Sequence, residues 1–177
     1  MNDSILQALY RAILEEPFLD LHRLAYADRC EELGKHGEAR FIREQLRTGK
    51  EFGTGNKEIC RRGFLEEIHL RCSQFMEKAK DYFLHHPILV VRLIDRKPQD
   101  NSDYHPHPWD DRCVVSWHRI VPDYGTESDD LPISLWEHLR GTTENRYKFY
   151  SSVESANEAL SHACVAYGRK LAGLPPL

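Results

Sequence analysis

Residues able to ligate a metal are densest between Asp103 and His118, where Asp103, His105, His107, Asp110 and Asp111 crowd together ahead of the histidine. Imidazole nitrogens and carboxylate oxygens at such spacing suit zinc or another first-row ion, and a loop can converge donors that a strand would send to opposite sides. His105, His107, Asp110 and His118 are therefore the metal-ligand candidates, and a metal-dependent hydrolase built on them is the enzymatic reading of the chain. Against it, His105-Pro106-His107-Pro108 fits none of the structured metal spacings. Polar loops containing proline also gather His and Asp simply because they are solvated. The solvated loop is the expectation, with no cofactor and no catalytic residue assigned.

The remaining chemistry-bearing residues read as architecture. Glu31-Glu32 and Glu66-Glu67 are adjacent carboxylate pairs of the kind that performs acid and base work across a cleft. Sequence neighbours, however, point about 100° apart on a helix and to opposite faces on a strand, so both pairs are expected on solvated edges. Asp28 and Arg43 are expected to lock the turn between two helices through a bidentate ion pair. His85 and His86 close a helix, where a protonated imidazole opposes the negative end of the dipole. Lys57, Arg61 and Arg62 make a short basic patch, too small to outweigh a net charge of -4, which disfavours nucleic acid as a partner. No glycine-rich phosphate loop and no nucleophile with an arranged base is present.

These side chains must be positioned by elements, and one spacing organises them. Leu65, Ile68 and Leu70 lie three and then two residues apart, and Ile88, Val91 and Leu93 repeat that spacing. Between them Phe75, Ala79, Tyr82 and Phe83 fall on one face of a helix that Ser73 is placed to cap and Pro87 to stop. The pattern predicts strand, helix, strand, with the two strands parallel and all six repeated residues buried. The interval falls within the roughly 20 to 29 residues of leucine-rich repeats, although two copies are fewer than a solenoid needs.

Ahead of this unit three helices are expected. The first is capped by Asp3 or Ser4, carries a stripe of Ile5, Leu6, Leu9, Tyr10, Ile13 and Leu14, and ends at Pro17. The second follows Asp20, burying Leu24, Ala27, Cys30 and Leu33 or their near neighbours before Gly34. The third covers Glu38 to Arg47, with Phe41, Ile42 and Leu46 apolar. Thr48 to Lys57 reads as a mobile surface loop. Beyond Asp95, the stretch from Arg96 to Arg112 contains Pro98, Pro106 and Pro108 and is expected to form no regular element. A third strand at Cys113 to Ile120, of undetermined direction, follows. A short helix opens at Pro132, and a last helix begins after Ser151, with Ala156, Ala159, Ala163 and Ala166 along one face.

Two blocks of this sequence resemble the bacterial repeat-companion domain, a family found beside leucine-rich-type repeats. The first comprises Leu24-Ala25-Tyr26-Ala27-Asp28, Glu31-Glu32-Leu33-Gly34 and Gly37-Glu38-Ala39-Arg40-Phe41-Ile42-Arg43-Glu44-Gln45. The second is Arg62-Gly63-Phe64-Leu65-Glu66-Glu67-Ile68, with His86-Pro87 and Val91-Arg92-Leu93. Arg29-Cys30 stands where the family has Trp-Leu. The resemblance spans residues 19–95 and implies a fold and a role in interaction, without a reaction.

A length of 177 residues suits one domain. The expected fold is α/β or α+β, with a helical part at 1–47, a strand-helix-strand core at 62–95, and a strand plus C-terminal helices packed on the sheet at 96–177. Five cysteines, odd in number and never paired as C-x-x-C, read as reduced thiols, and no apolar run approaches the roughly 18 residues of a membrane span. A soluble, cytoplasmic, bacterial or phage-type protein that binds another protein without catalysing a reaction is the expected function. The alternative is the metal-dependent hydrolase.

Overall fold

The computed structural model describes residues 3–54, 58–94, 99–100, 115–116 and 153–177. Within them the order is α1 (Ser4–Glu15), α2 (Asp20–Glu32), α3 (His36–Thr48), β1 (Phe52–Thr54), β2 (Glu58–Arg61), β3 (Phe64–Leu70), α4 (Cys72–His85), β4 (Val90–Leu93), β5 (Gln99–Asp100), β6 (Val115–Ser116) and α5 (Val153–Leu171). The fold is α+β: helices at the N-terminus, a small mixed sheet in the order β1-β2-β3-β4, and a C-terminal helix against it.

The N-terminal helices begin and end where their sequences dictate. Asp3 accepts the Leu6 N–H at 2.7 Å and so caps α1. Gly34 and Gly49 take positive φ just past the ends of α2 and α3. The buried stripe of α2 is rotated from the expected one: Arg23, Tyr26, Ala27 and Cys30 face inward, while Leu24 and Leu33 are exposed, as are Ile5 of α1 and Phe41 of α3. A buried arginine takes the place of a leucine because a carboxylate waits for it on the sheet.

The central unit is strand, helix, strand as its spacing requires. β3 and β4 pair in parallel, Ile68 against Val91 and Leu70 against Leu93. Ile68, Ile88, Val91 and Leu93 are buried with Phe75, Ala79 and Phe83 of α4, whereas Leu65 and Leu70 are half-buried at the margin. Truncating Ile68 or Val91 to alanine is expected to lower stability by about 2 to 5 kcal/mol, read as a shift in the urea midpoint. Ser73 does not cap α4, which begins one residue earlier; Gln74 instead accepts the Arg71 N–H at 3.0 Å.

Two further departures concern the polar stretches. Phe52–Thr54, inside the expected 48–57 loop, is strand β1, antiparallel to β2. Gln99–Asp100, inside the expected irregular stretch, pairs antiparallel with Val115–Ser116, so that among the described residues the expected third strand joins β5 in a separate ladder and does not extend the main sheet. In both cases the partner strand supplies hydrogen bonds that a local reading of polar, Gly- or Pro-rich sequence does not reveal. The helix expected at Pro132 lies outside the described residues.

α5 closes the core. Leu160, Ala163, Cys164 and Val165 are buried, and a Cβ on Gly168 would overlap the Phe83 ring, so glycine lets α5 approach α4 this closely. Ser161 accepts the Val91 N–H at 3.0 Å, occupying a backbone donor of β4 with a side chain. None of the described helices is long and apolar enough to cross a membrane.

Candidate functional site

The polar centre of the molecule is built by the turn between β2 and β3. Arg62 and Gly63 occupy this two-residue connection with φ of 52° and 88°, the paired positive values of a tight hairpin turn. A Cβ on Gly63 would collide with Ile42 of α3. Gln45, itself buried, holds the hairpin to α3. Its amide nitrogen donates to the Lys50 and Cys60 carbonyls, and its oxygen accepts the Gly63 N–H.

β3 then bulges. Cys60 faces Leu65 and Ile59 faces Glu67, so Glu66 is left without a partner residue on β2. This extra residue explains the three-then-two spacing: Leu65, Ile68 and Leu70 reach the same core only because the alternation slips once between them. It also turns Glu66 and Glu67 to the same face as Phe64. Arg23, bound to Glu66, lies over the Phe64 ring, and Arg61, bound to Glu67, is the register partner of Phe64.

The two carboxylates are therefore not on a solvated edge. Glu66 is 2% exposed and Glu67 3%. Glu66 binds Arg23 at 2.7 Å and Arg62 at 2.8 Å, and Arg62 reaches on to Asp20. Glu67 accepts from Arg61 at 2.7 Å, Arg92 at 2.8 Å and the His69 Nε2–H at 2.6 Å. Arg61 also holds Glu51, so a row of alternating charge, Glu51, Arg61, Glu67, Arg92, crosses the sheet. Arg61 and Arg62 are consumed in these pairs and form no free basic patch.

Neighbouring carboxyls are shifted in opposite directions. Burial pushes Glu66 up, with Arg62 and Arg23 opposing it. Burial acts on Glu67 the same way, but His69, Arg61 and Arg92 outweigh it and hold the carboxyl at about 2. A carboxyl whose folded pKa lies below its ordinary value of 4.5 stabilises the fold above that pH and loses the contribution as pH falls toward 2. The contribution is on the order of 3 kcal/mol. Acid unfolding followed by circular dichroism is expected to show a loss between these pH values that Glu67→Gln removes. A profile unchanged by the substitution would refute the assignment.

Elsewhere the expected residues stand as follows. Arg43 binds Asp28 at 2.6 Å and also Glu31, bridging two carboxylates in place of one bidentate pair. Glu31 and Glu32 are exposed, as expected. His85 lies 2.9 Å from the Asp81 carbonyl at the end of α4, whereas burial pushes the His86 imidazole down, away from the charged form. His105, His107, Asp110 and His118 lie outside the described residues, and among the described ones no cluster of His, Cys, Asp and Glu is arranged to hold a metal. Cys30, Cys60, Cys72 and Cys164 are free thiols.

Sequence reasoning missed two buried arginines that bind carbonyls at and just past the end of α1. Arg23 donates to the Pro17 carbonyl. Arg169 of α5 donates to Leu14 and Glu15 at 3.0 and 2.9 Å and to Pro175 at 2.6 Å. Their only sequence signal is an arginine on an otherwise apolar helical face.

Two surfaces lie outside the networks of Glu66 and Glu67. In the turn before α2 and along its outer face, Phe18, Leu19, Leu21 and Leu24 are all exposed, Phe18 and Leu21 at 65%. On α3, His36, Arg40, Arg43 and Arg47 share the outward face and line an open groove. Beside them exposed Phe41 meets Phe52 of β1 edge to face, with ring centres 6.1 Å apart. Compared with known proteins, the chain matches no family model, no curated protein and no solved structure.

Proposed function

We propose that the chain is a non-enzymatic protein-interaction or adaptor module whose partner docks on the outer face of α2 and the turn before it. The observation that carries this reading is the run Phe18, Leu19, Leu21 and Leu24: four large exposed apolar side chains, two in the turn before α2 and two on that helix, whose inner face is already filled. Isolated exposed leucines are ordinary on a surface, but a contiguous apolar patch marks a contact surface. The resemblance to the repeat-companion domain supports the same role. Tyr26 with Glu38, Asp28 with Arg43, Gln45 with Gly63 and Arg62 with Glu66, all within its two blocks, bind one another as scaffold, which frees the outer faces for contact. A cytoplasmic location accords with the free thiols.

The test is partner capture. Immobilised full-length protein is expected to retain a discrete, stoichiometric protein from extract of its own cells, and Leu21→Ser with Leu24→Ser is expected to abolish retention without lowering the melting temperature. A partner retained equally by the double variant would refute docking on this face.

A further inference from the structure

We propose that Cys72 and Cys164 are a redox-sensitive pair, oxidised by hydrogen peroxide to a disulfide that staples α5 to α4. Both are reduced in this structure and belong to one core cluster, Cys164 at 0% and Cys72 at 4% exposure. The register of the two helices brings the sulfurs together. Phe75, three residues after Cys72, meets Tyr167, three residues after Cys164, with ring centres 6.2 Å apart. One turn back along each helix, the same line of contact reaches the two cysteines. Farther along it, the Phe83 ring fills the space that a Cβ on Gly168 would need, so no side chain holds the helices apart there.

Burial pushes the Cys164 thiol up, and the charge of Cys72 beside it acts in the same direction. Cys164 is therefore the poorer nucleophile toward an oxidant, and the slightly exposed Cys72 reacts first. So small an opening suits hydrogen peroxide. The Cys72 thiolate attacks one peroxide oxygen, the O–O bond breaks, and the departing hydroxide takes up the thiol proton as water. The sulfur is thereby oxidised by two electrons to a sulfenic acid. The Cys164 sulfur then attacks the Cys72 sulfur, its thiol proton leaves with the displaced hydroxyl as water, and the S–S bond closes. Two thiols and one peroxide give one disulfide and two waters. The bond closes a loop of about 90 residues and fixes α5, with the Arg169 clamp it carries, against α4.

The test is oxidation of the folded, full-length chain. Protein treated with equimolar hydrogen peroxide, then blocked with N-ethylmaleimide in urea, is digested without reductant and mapped by mass spectrometry. A peptide linking Cys72 to Cys164 is expected, reversible by dithiothreitol, with a melting temperature about 10 °C above that of the reduced chain. Cys164→Ala is expected to give no linkage and no rise, and to leave Cys72 as a sulfenic acid that dimedone traps. Cys60→Ala, outside the pair, is expected to oxidise as wild type does. Should Cys164→Ala fail to fold, the wild-type map decides alone. Absence of the linkage from folded wild type, its appearance only in urea, preferential linkage to Cys30, Cys60 or Cys113, or a melting temperature lowered by oxidation would each overturn the proposal.

Discussion

Glu66→Ala is expected to cost about 3 to 5 kcal/mol, because it strands a fully buried guanidinium. Arg23 is 0% exposed; it donates to Glu66 and to the Pro17 carbonyl, and its Nε has no hydrogen-bond partner among the described residues. Burial already pushes the Arg23 pKa down, with Glu66 opposing. Removing the carboxylate leaves the cost of burying the charge and takes away its largest compensation. The double variant Arg23→Met, Glu66→Leu is expected to recover much of the loss, since both charges then leave together and methionine can follow the course of the arginine stem. Urea denaturation of wild type, both single variants and the double variant measures the coupling directly. If Glu66→Ala shifted the midpoint no more than an exposed change such as Glu32→Ala, the pair would not be the buried contact that joins α2 to the sheet.

Arg169→Ala is expected to be of similar size, at least about 3 kcal/mol, or a melting temperature lower by on the order of 10 °C. The last carbonyls of a helix have no partner within it. Those of Leu14 and Glu15 in α1 are satisfied from the far end of the chain by the two terminal nitrogens of Arg169, while its Nε holds the Pro175 carbonyl. Arg169 is 1% exposed. Truncation therefore leaves the buried Leu14 carbonyl and the partly buried Glu15 and Pro175 carbonyls unpaired, with a cavity beside them. Arg169→Lys is expected to rescue little, because an ammonium cannot reproduce the planar fork that reaches three carbonyls at once. Full rescue by lysine would show that charge alone matters there. Amide exchange is a sharper readout, since loss of the clamp is expected to raise exchange at the C-terminal turn of α1 before that in β3.

Much of the scaffold was legible because local chemistry and tertiary demand agree. Asp3 caps α1 and Gly34 and Gly49 end α2 and α3 by rules that involve only neighbouring residues. The apolar spacing at Leu65, Ile68, Leu70 and at Ile88, Val91, Leu93 located both parallel strands and most of their buried residues. Asp28 and Arg43 were recognisable as a pair because the two helices are joined by a short turn that brings them together. Surface exposure was less legible: Leu21 does not stand out in a sequence, since its exposure depends on which face of α2 the sheet takes.

What the sequence determined by itself is the helices, the two parallel strands and most of the apolar residues buried between them, because capping, turn geometry and hydrophobic periodicity act over a few residues; β1, β2 and β5 escape such a reading because they exist through their partner strands. Only the tertiary structure decided the fate of the charges. Whether Glu66 and Glu67 meet water depends on one bulge in β3 and on arginines contributed by α2, β2 and β4. Whether Arg169 is a surface cation or a buried clamp depends on a carbonyl more than a hundred residues away. Burying a charge is costly unless compensating partners surround it, and those partners are gathered by folding and not by adjacency in the chain.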